Sequence, residues 1–195
     1  MDQKETPQVE VMGAAPATTN STNPPQPLAF ADLFEQEFDY VWFTLRRLGV
    51  PERDLEDVAH DVFIQVHRRL DEYDPGRPIR PWLFAFAYRL ASDYRRLARH
   101  RIETLEERAD TVDPALSPAD HLIAKQTLEL SWRALQKLEI DRRAVFLLHE
   151  VEGLSIPELS ELLHIPVNTA YSRLRLAREQ FAKALHRLRA RQGET

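Results

Sequence analysis

The chain has 195 residues, 43% hydrophobic and 29% charged, and 26 Lys and Arg against 31 Asp and Glu leave a net charge of −5. Cysteine is absent, which removes disulfides, thiolate metal sites and cysteine nucleophiles. Only five glycines are present, too few for phosphate-cradling loops or tight hairpins. No apolar run approaches the roughly 18–20 residues that span a bilayer, and no secretory signal opens the chain. A cytoplasmic location without membrane insertion is expected.

Residues 1–28 hold five of the 13 prolines among Ala, Thr, Asn and Gln. Such a segment buries too little apolar surface to offset its ordering entropy, so a disordered tail is expected. After it the pattern becomes helical. Leu33, Phe34, Phe38, Val41, Trp42 and Leu45 recur at three- and four-residue steps and predict a helix over 31–48, stopped by Gly49 and Pro51. Asp54 is placed to cap a second helix over 54–72, with a stripe running from Leu55 to Leu70. Asp74-Pro75-Gly76-Arg77-Pro78 is a turn, and Pro81 suits the first turn of a third helix that ends near Arg101.

Residues 102–118 form an acidic break, read as a flexible linker. Beyond it helices are predicted over 119–137, 141–152, 155–163 and 167–189, with a short tail over 190–195. No segment alternates at period two for long. The fold expected is therefore all-α, as two small helical domains over 29–101 and 119–189.

The sharpest local signal runs from Ser155 to Leu176. Ser155 and Glu158 match a capping box, His164-Ile165-Pro166 is a turn, and a second helix opens at Val167. This is a helix-turn-helix order. Ala170, Leu174, Ala177 and Phe181 belong to the inner side of the second helix. Asn168, Thr169, Tyr171, Ser172, Arg173, Arg175 and Arg178 are left for solvent or DNA. Asn pairs with adenine, Arg with guanine or phosphate, and Thr with the thymine methyl, so these are the candidate duplex-reading residues. From 167 to 195 seven bases oppose two acids, a local +5 in an acidic chain.

Helix 81–101 combines Trp82, Phe84, Phe86, Tyr88 and Tyr94 with Arg89, Arg95, Arg96, Arg99 and Arg101, a net +4. Phe86, Leu90 and Tyr94 are assigned to the core; Phe84 and Tyr88 are expected to point away from it, beside the arginines. Aromatic faces along a basic track suit unstacked bases. Arg77, Tyr88, Arg89, Arg95, Arg96 and Arg99 are the candidates here, and the loop with Tyr73, Arg77 and Arg80 has room for an extruded base. Segment 31–74 carries twelve acids against five bases, net −7, and should avoid DNA and face water or a basic protein.

On these residues the chain resembles the bacterial sigma-70 family, most closely its short extracytoplasmic-function (ECF) group. The motifs are Asp57-Val58-Ala59-His60-Asp61-Val62-Phe63, Trp82-Leu83 with Ala91-Ser92-Asp93-Tyr94-Arg95-Arg96, and Leu135 through Arg178. The resemblance implies that helix 54–72 docks on the clamp helices of the RNA polymerase β′ subunit, with Asp57, His60, Asp61 and Phe63 as contacts. It implies that 73–101 recognises and melts a −10 element, that 167–178 reads a −35 element in duplex promoter DNA, and that the second domain touches the β flap. An anti-sigma factor is a further implied partner. Arg89, His60, Asn168 and Leu176 stand where the family often has Asn, Gln, Gly and Arg.

Three other readings compete, one of them a purely structural helical interaction protein, which leaves both basic helices unexplained. A helix-turn-helix regulator that does not join polymerase would share the second domain, but has no use for an acidic helix followed by an aromatic–basic one. An enzyme would need a motif that is missing: the seven histidines form no H-E-x-x-H, and there is no P-loop, Rossmann or G-x-S-x-G signature. No metal and no cofactor are expected.

Overall fold

The computed structural model describes residues 30–102 and 120–193, with side chains described for 30–97 and 128–191. The expected tail 1–28 and almost all of the expected linker 102–118 lie outside the described residues. Seven α-helices follow in order: α1 Phe30–Leu48, α2 Leu55–Arg68, α3 Ile79–Ile102, α4 Asp120–Leu135, α5 Ile140–Glu150, α6 Ile156–Leu163 and α7 Val167–Gly193. Among the described residues there is no strand. The all-α expectation holds.

Helices α1, α2 and α3 pack on one another as a first bundle, while α4, α5 and α6 gather on α7 as a second. Leu33, Val41, Leu45, Val62, Phe63, Leu83 and Phe84 are buried in the first; Leu138, Val145, Leu148, Leu159, Ala170, Leu174 and Ala177 are buried in the second. Their apolar periodicity of three and four is what forces these stripes inward. The two cores are continuous, because α3 touches α5 and α6 and α1 touches α5.

Helix ends are set by backbone chemistry. Gly49, at φ +95°, donates its N–H to Arg46 O at 3.0 Å and Val50 donates to Leu45 O at 3.1 Å. This is a Schellman closure, and the glycine supplies its left-handed residue. Helix α6 closes the same way without glycine: His164 sits at φ 53°, donating to Glu161 O, and Ile165 donates to Ser160 O at 3.0 Å. At the start of α6, Ser155 and Glu158 form a capping box, with the Ser155 N–H donating to Glu158 Oε2 at 2.7 Å and the Ser155 side chain accepting from the Glu158 N–H; the Ser155 hydroxyl also donates to Oε2 at 2.5 Å.

Several helix ends differ from expectation: α3 already begins at Ile79, ahead of Pro81, and α4 ends at Leu135 rather than 137. Helix α2 ends at Arg68, and Leu70–Glu72 is a separate 3₁₀ turn. Asp54 precedes α2 but makes no side-chain cap, because its carboxylate accepts from the Tyr94 hydroxyl at 2.5 Å and from Arg53 at 3.3 Å. Helix α7 continues through the expected tail to Gly193.

Candidate nucleic-acid interface

The second bundle places α6 and the first turns of α7 as a helix-turn-helix. Ala170, Leu174 and Ala177 anchor α7 inward, and Phe181 stacks on Phe146 at 5.0 Å between ring centroids. The Ser160 hydroxyl donates to Ile165 O at 2.5 Å and stiffens the turn between the helices. The helical period then leaves Asn168, Tyr171, Ser172, Arg175 and Arg178 exposed, with Thr169 half-buried. Tyr171, Arg175 and Arg178 line one wall of a groove of about 470 Å³, completed by His149, Ile156 and Leu174.

The basic groups on this face are not equally available. Arg175 makes a long 3.7 Å exposed pair with Glu179, which Lys183 also approaches at 2.7 Å. Arg178 is held by Glu150 at 2.7 Å. Arg173 is turned inward and donates through Nη2 to Asp141 Oδ2 at 2.6 Å. Ser172 donates to Thr169 O, a local bond that leaves its hydroxyl on the surface. Six of the seven expected residues thus reach the outer face, while Arg173 lies against α5.

The aromatic–basic helix departs further from expectation. Phe84 is fully buried, so it belongs to the core with Phe86 and presents no face to a base. Trp82 packs between Tyr73 and Phe86, at 5.2 and 4.8 Å. Tyr88 is half-buried and packs against the core, where it was expected to point away, and its hydroxyl donates to Asp141 Oδ1 at 2.8 Å across the domain boundary. Burial, reinforced by that carboxylate, pushes the phenol up to about 12. Arg89 is exposed, its guanidinium 5.7 Å from the Phe86 ring centroid. Arg96 is exposed and pairs only with Asp93 one turn back, at 3.1 Å, among the contacts described. Arg95 lies near Gly49 and Arg143 at the boundary. The Arg99 side chain lies outside the described residues.

In the loop before α3, Tyr73 donates to Arg77 O at 2.6 Å. Arg77 is exposed and lies 3.7 Å from both Asp74 and Glu161. Arg80 is drawn away from the loop to Glu37 at 3.0 Å, over the Tyr40 ring. The loop is therefore closed by its own contacts and offers Arg77 alone to an anion.

On the acidic helix, Asp57, His60 and Asp61 are exposed on one side of α2. The His60 ring packs beside Phe34 and Phe38, with Nδ1 2.8 Å from Glu56 O. Phe63 corrects the expectation: it is 2% exposed and sits within Phe30, Phe34 and Phe38, supporting the surface from beneath. The apolar residue on the outer stripe is Ile64, 47% exposed, which the sequence reading passed over. Its spacing of three from Asp61 and four from His60 is the signal that locates it.

Among the described residues the buried cation is Arg143. Its Nη2 donates to Gln136 O (2.9 Å) and Leu138 O (2.8 Å); its Nη1 donates to Gln136 Oε1 (2.8 Å) and, across the boundary, to Arg47 O (3.3 Å). A cation at the carbonyl ends of α4 and α1 is favourably placed against both helix dipoles. Burial, with Arg95 nearby, lowers its pKa to about 9. Among the described residues no His, Asp and Glu cluster has the form of a metal site.

Comparison with known proteins decides what these two bundles are. Residues 33–101 match the model of sigma-70 region 2, and residues 129–181 match that of sigma-70 region 4. The RNA polymerase sigma factor CnrH of Cupriavidus metallidurans is 30% identical over 148 residues, covering 72% of this chain and 78% of CnrH. The chain belongs to the sigma-70 family. Within it the chain is an ECF-type sigma factor: the ECF sigma factor SigW of Bacillus subtilis is 27% identical over 169 residues, covering 82% of this chain and 90% of SigW. The structure of CnrH in complex with the cytosolic domain of CnrY aligns with a TM-score of 0.55 at 27% identity, over 80% of this chain and 87% of CnrH. The sigma factor RpoE of Bartonella quintana, crystallised with the anti-sigma factor NepR, has the same fold, with a TM-score of 0.61 at 18% identity over 80% and 96% of the two chains. Region 2 accounts for both the acidic helix and the aromatic–basic helix, which a stand-alone helix-turn-helix regulator has no need of. No helix among the described residues is long and apolar enough to cross a membrane.

Proposed function

We propose that this sigma factor joins RNA polymerase core through the exposed stripe of α2 and reads promoter DNA with two separate helices. The assignment of α7 to the −35 element rests on one observation: Asn168, Tyr171, Arg175 and Arg178 share an exposed face at the mouth of the helix-turn-helix. A helix so presented fits the major groove, where Asn and Arg discriminate bases and the remaining groups position phosphates.

The −10 role goes to α3 and the loop before it. Arg77, Arg89 and Arg96 offer an exposed basic track, and Tyr88 supplies the aromatic face once it leaves Asp141. Holding unstacked bases better than duplex is what biases the promoter toward melting. Asp57, His60, Asp61 and Ile64 meet the polymerase clamp, with Phe63 as their support, and region 4 meets the β flap. CnrH and RpoE were solved in complex with CnrY and with the anti-sigma factor NepR; an anti-sigma factor is the corresponding partner proposed here.

Run-off transcription with core polymerase and a promoter library tests the reading. Template-specific transcripts that depend on the chain are expected. Their absence, with intact DNA binding, would leave a regulator that does not serve polymerase.

A further inference from the structure

One carboxylate holds a side chain from each DNA-reading helix. Asp141, in the first turn of α5, accepts from the Tyr88 hydroxyl on Oδ1 at 2.8 Å and from Arg173 Nη2 on Oδ2 at 2.6 Å. Tyr88 belongs to region 2 and Arg173 to region 4. Each is a candidate for a different promoter element, and 85 residues separate them in sequence. Neither can keep its place on Asp141 and reach DNA.

From this we infer that Asp141 is an autoinhibitory latch, which withholds Tyr88 while regions 2 and 4 remain packed and also occupies Arg173. The proposal rests on the DNA-reading roles given above and adds their regulation. The other polar contacts across the boundary are longer or more exposed than the one Tyr88 makes, and they lie over a shared apolar core. Arg77 pairs with Glu161 at 3.7 Å with both side chains well exposed, and exposed pairs contribute little. Gln136 Nε2 reaches Arg46 O and Arg47 O only at 3.5 and 3.4 Å. The short, partly buried contacts converge on Asp141. Its Arg173 bond lies within region 4, so opening breaks the bond to Tyr88, together with the longer reach of Arg143 to Arg47 O at 3.3 Å and the Arg46–Trp132 contact. Once Tyr88 leaves, Asp141 holds Arg173 alone, and a phosphate or guanine can compete for that guanidinium.

The absence of cysteine makes the test direct. Glu72→Cys and Arg187→Cys, both at exposed positions, give the full chain two unique labelling sites for single-molecule energy transfer between regions 2 and 4. Tyr88→Phe removes the latch bond without changing charge, and Asp141→Asn weakens both bonds. Each should shift the open-to-closed ratio by about tenfold, as expected for loss of a hydrogen bond to an ionised acceptor. Tyr88→Phe should also bind a roughly 30-base-pair duplex about threefold tighter without polymerase, as the closed population falls. Unchanged transfer in both variants overturns the latch. Changed transfer with unchanged duplex affinity overturns the inhibitory claim. Run-off transcription by the unmodified chain is scored separately, so a failed latch and a failed promoter-reading assignment are told apart.

Discussion

Arg178 of α7 binds Glu150 at the end of α5 through both Nε and Nη2, each 2.7 Å from the same oxygen. The pair is largely exposed, so its contribution to stability is small, on the order of 0.2–1 kcal/mol. Its effect is positional, because it holds an arginine at the edge of the groove walled by Tyr171 and Arg175. Arg178→Ala is expected to weaken duplex binding about equally for all sequences and to lower the slope of log affinity against log salt by about 1. Glu150→Gln should do the reverse by freeing the guanidinium. Fluorescence anisotropy across a salt series reads both; a sequence-dependent loss in Arg178→Ala would make it a base contact instead.

Asn168 behaves differently if it reads a base. Asn168→Ala should cost about 1–3 kcal/mol at one position of the −35 element and relax preference there, with the salt slope unchanged. Selection of binding sites from a randomised duplex checks this against the unmodified chain.

Neighbouring residues of α2 separate stability from docking. Phe63→Ala removes a ring from a packed aromatic cluster and should cost about 3–5 kcal/mol in urea unfolding. Ile64→Ala should leave unfolding within about 0.5 kcal/mol and weaken binding to polymerase core, a truncation cost of more than about 1 kcal/mol if the side chain is central to the contact. Equal core binding by Ile64→Ala and the parent chain would move the docking surface off this stripe.

His164 holds a left-handed backbone conformation that favours glycine. His164→Gly should therefore stabilise the chain by about 0.5–1 kcal/mol, since relief of the side-chain clash outweighs the added freedom of the unfolded glycine. Chemical denaturation decides the sign.

The capping box is sensitive to acid. The Ser155 hydroxyl and N–H hold the Glu158 carboxyl below its ordinary 4.5. A lowered acid in the folded state gives stability above the unfolded pKa, and that stability is lost as pH falls through the folded value. Glu158→Gln should thus melt lower than the parent at neutral pH. The gap should close as pH falls below about 4.5. A gap independent of pH would mean that the carboxylate charge is not what caps α6.

What could be read from the chain was local. The capping box at Ser155, the turn at His164-Ile165-Pro166 and the inner face of α7 depend on residues within a few positions of one another, and spacing encodes them. The fate of Phe84 did not follow so readily, because α3 is covered on two sides by α1 and α2 and then again by region 4. Its buried arc is wider than one amphipathic stripe allows. Asp54 failed as a cap because Tyr94, forty residues away, competes for its carboxylate. The bond from Tyr88 to Asp141 spans 53 residues and two regions, and no periodicity announces it. Ile64 was legible by spacing, and was passed over because an exposed isoleucine on a charged helix resembles an ordinary surface residue.

The Arg46 guanidinium lies between two indoles, 5.7 Å from the Trp42 ring centre in α1 and 5.1 Å from that of Trp132 in α4. One ring belongs to each half of the molecule. Any event that draws the halves apart must strip the cation from Trp132 and leave it on Trp42. The native chain accordingly carries an optical gauge of its own: a change in tryptophan emission, absent from Trp132→Phe, reports the separation with no dye attached.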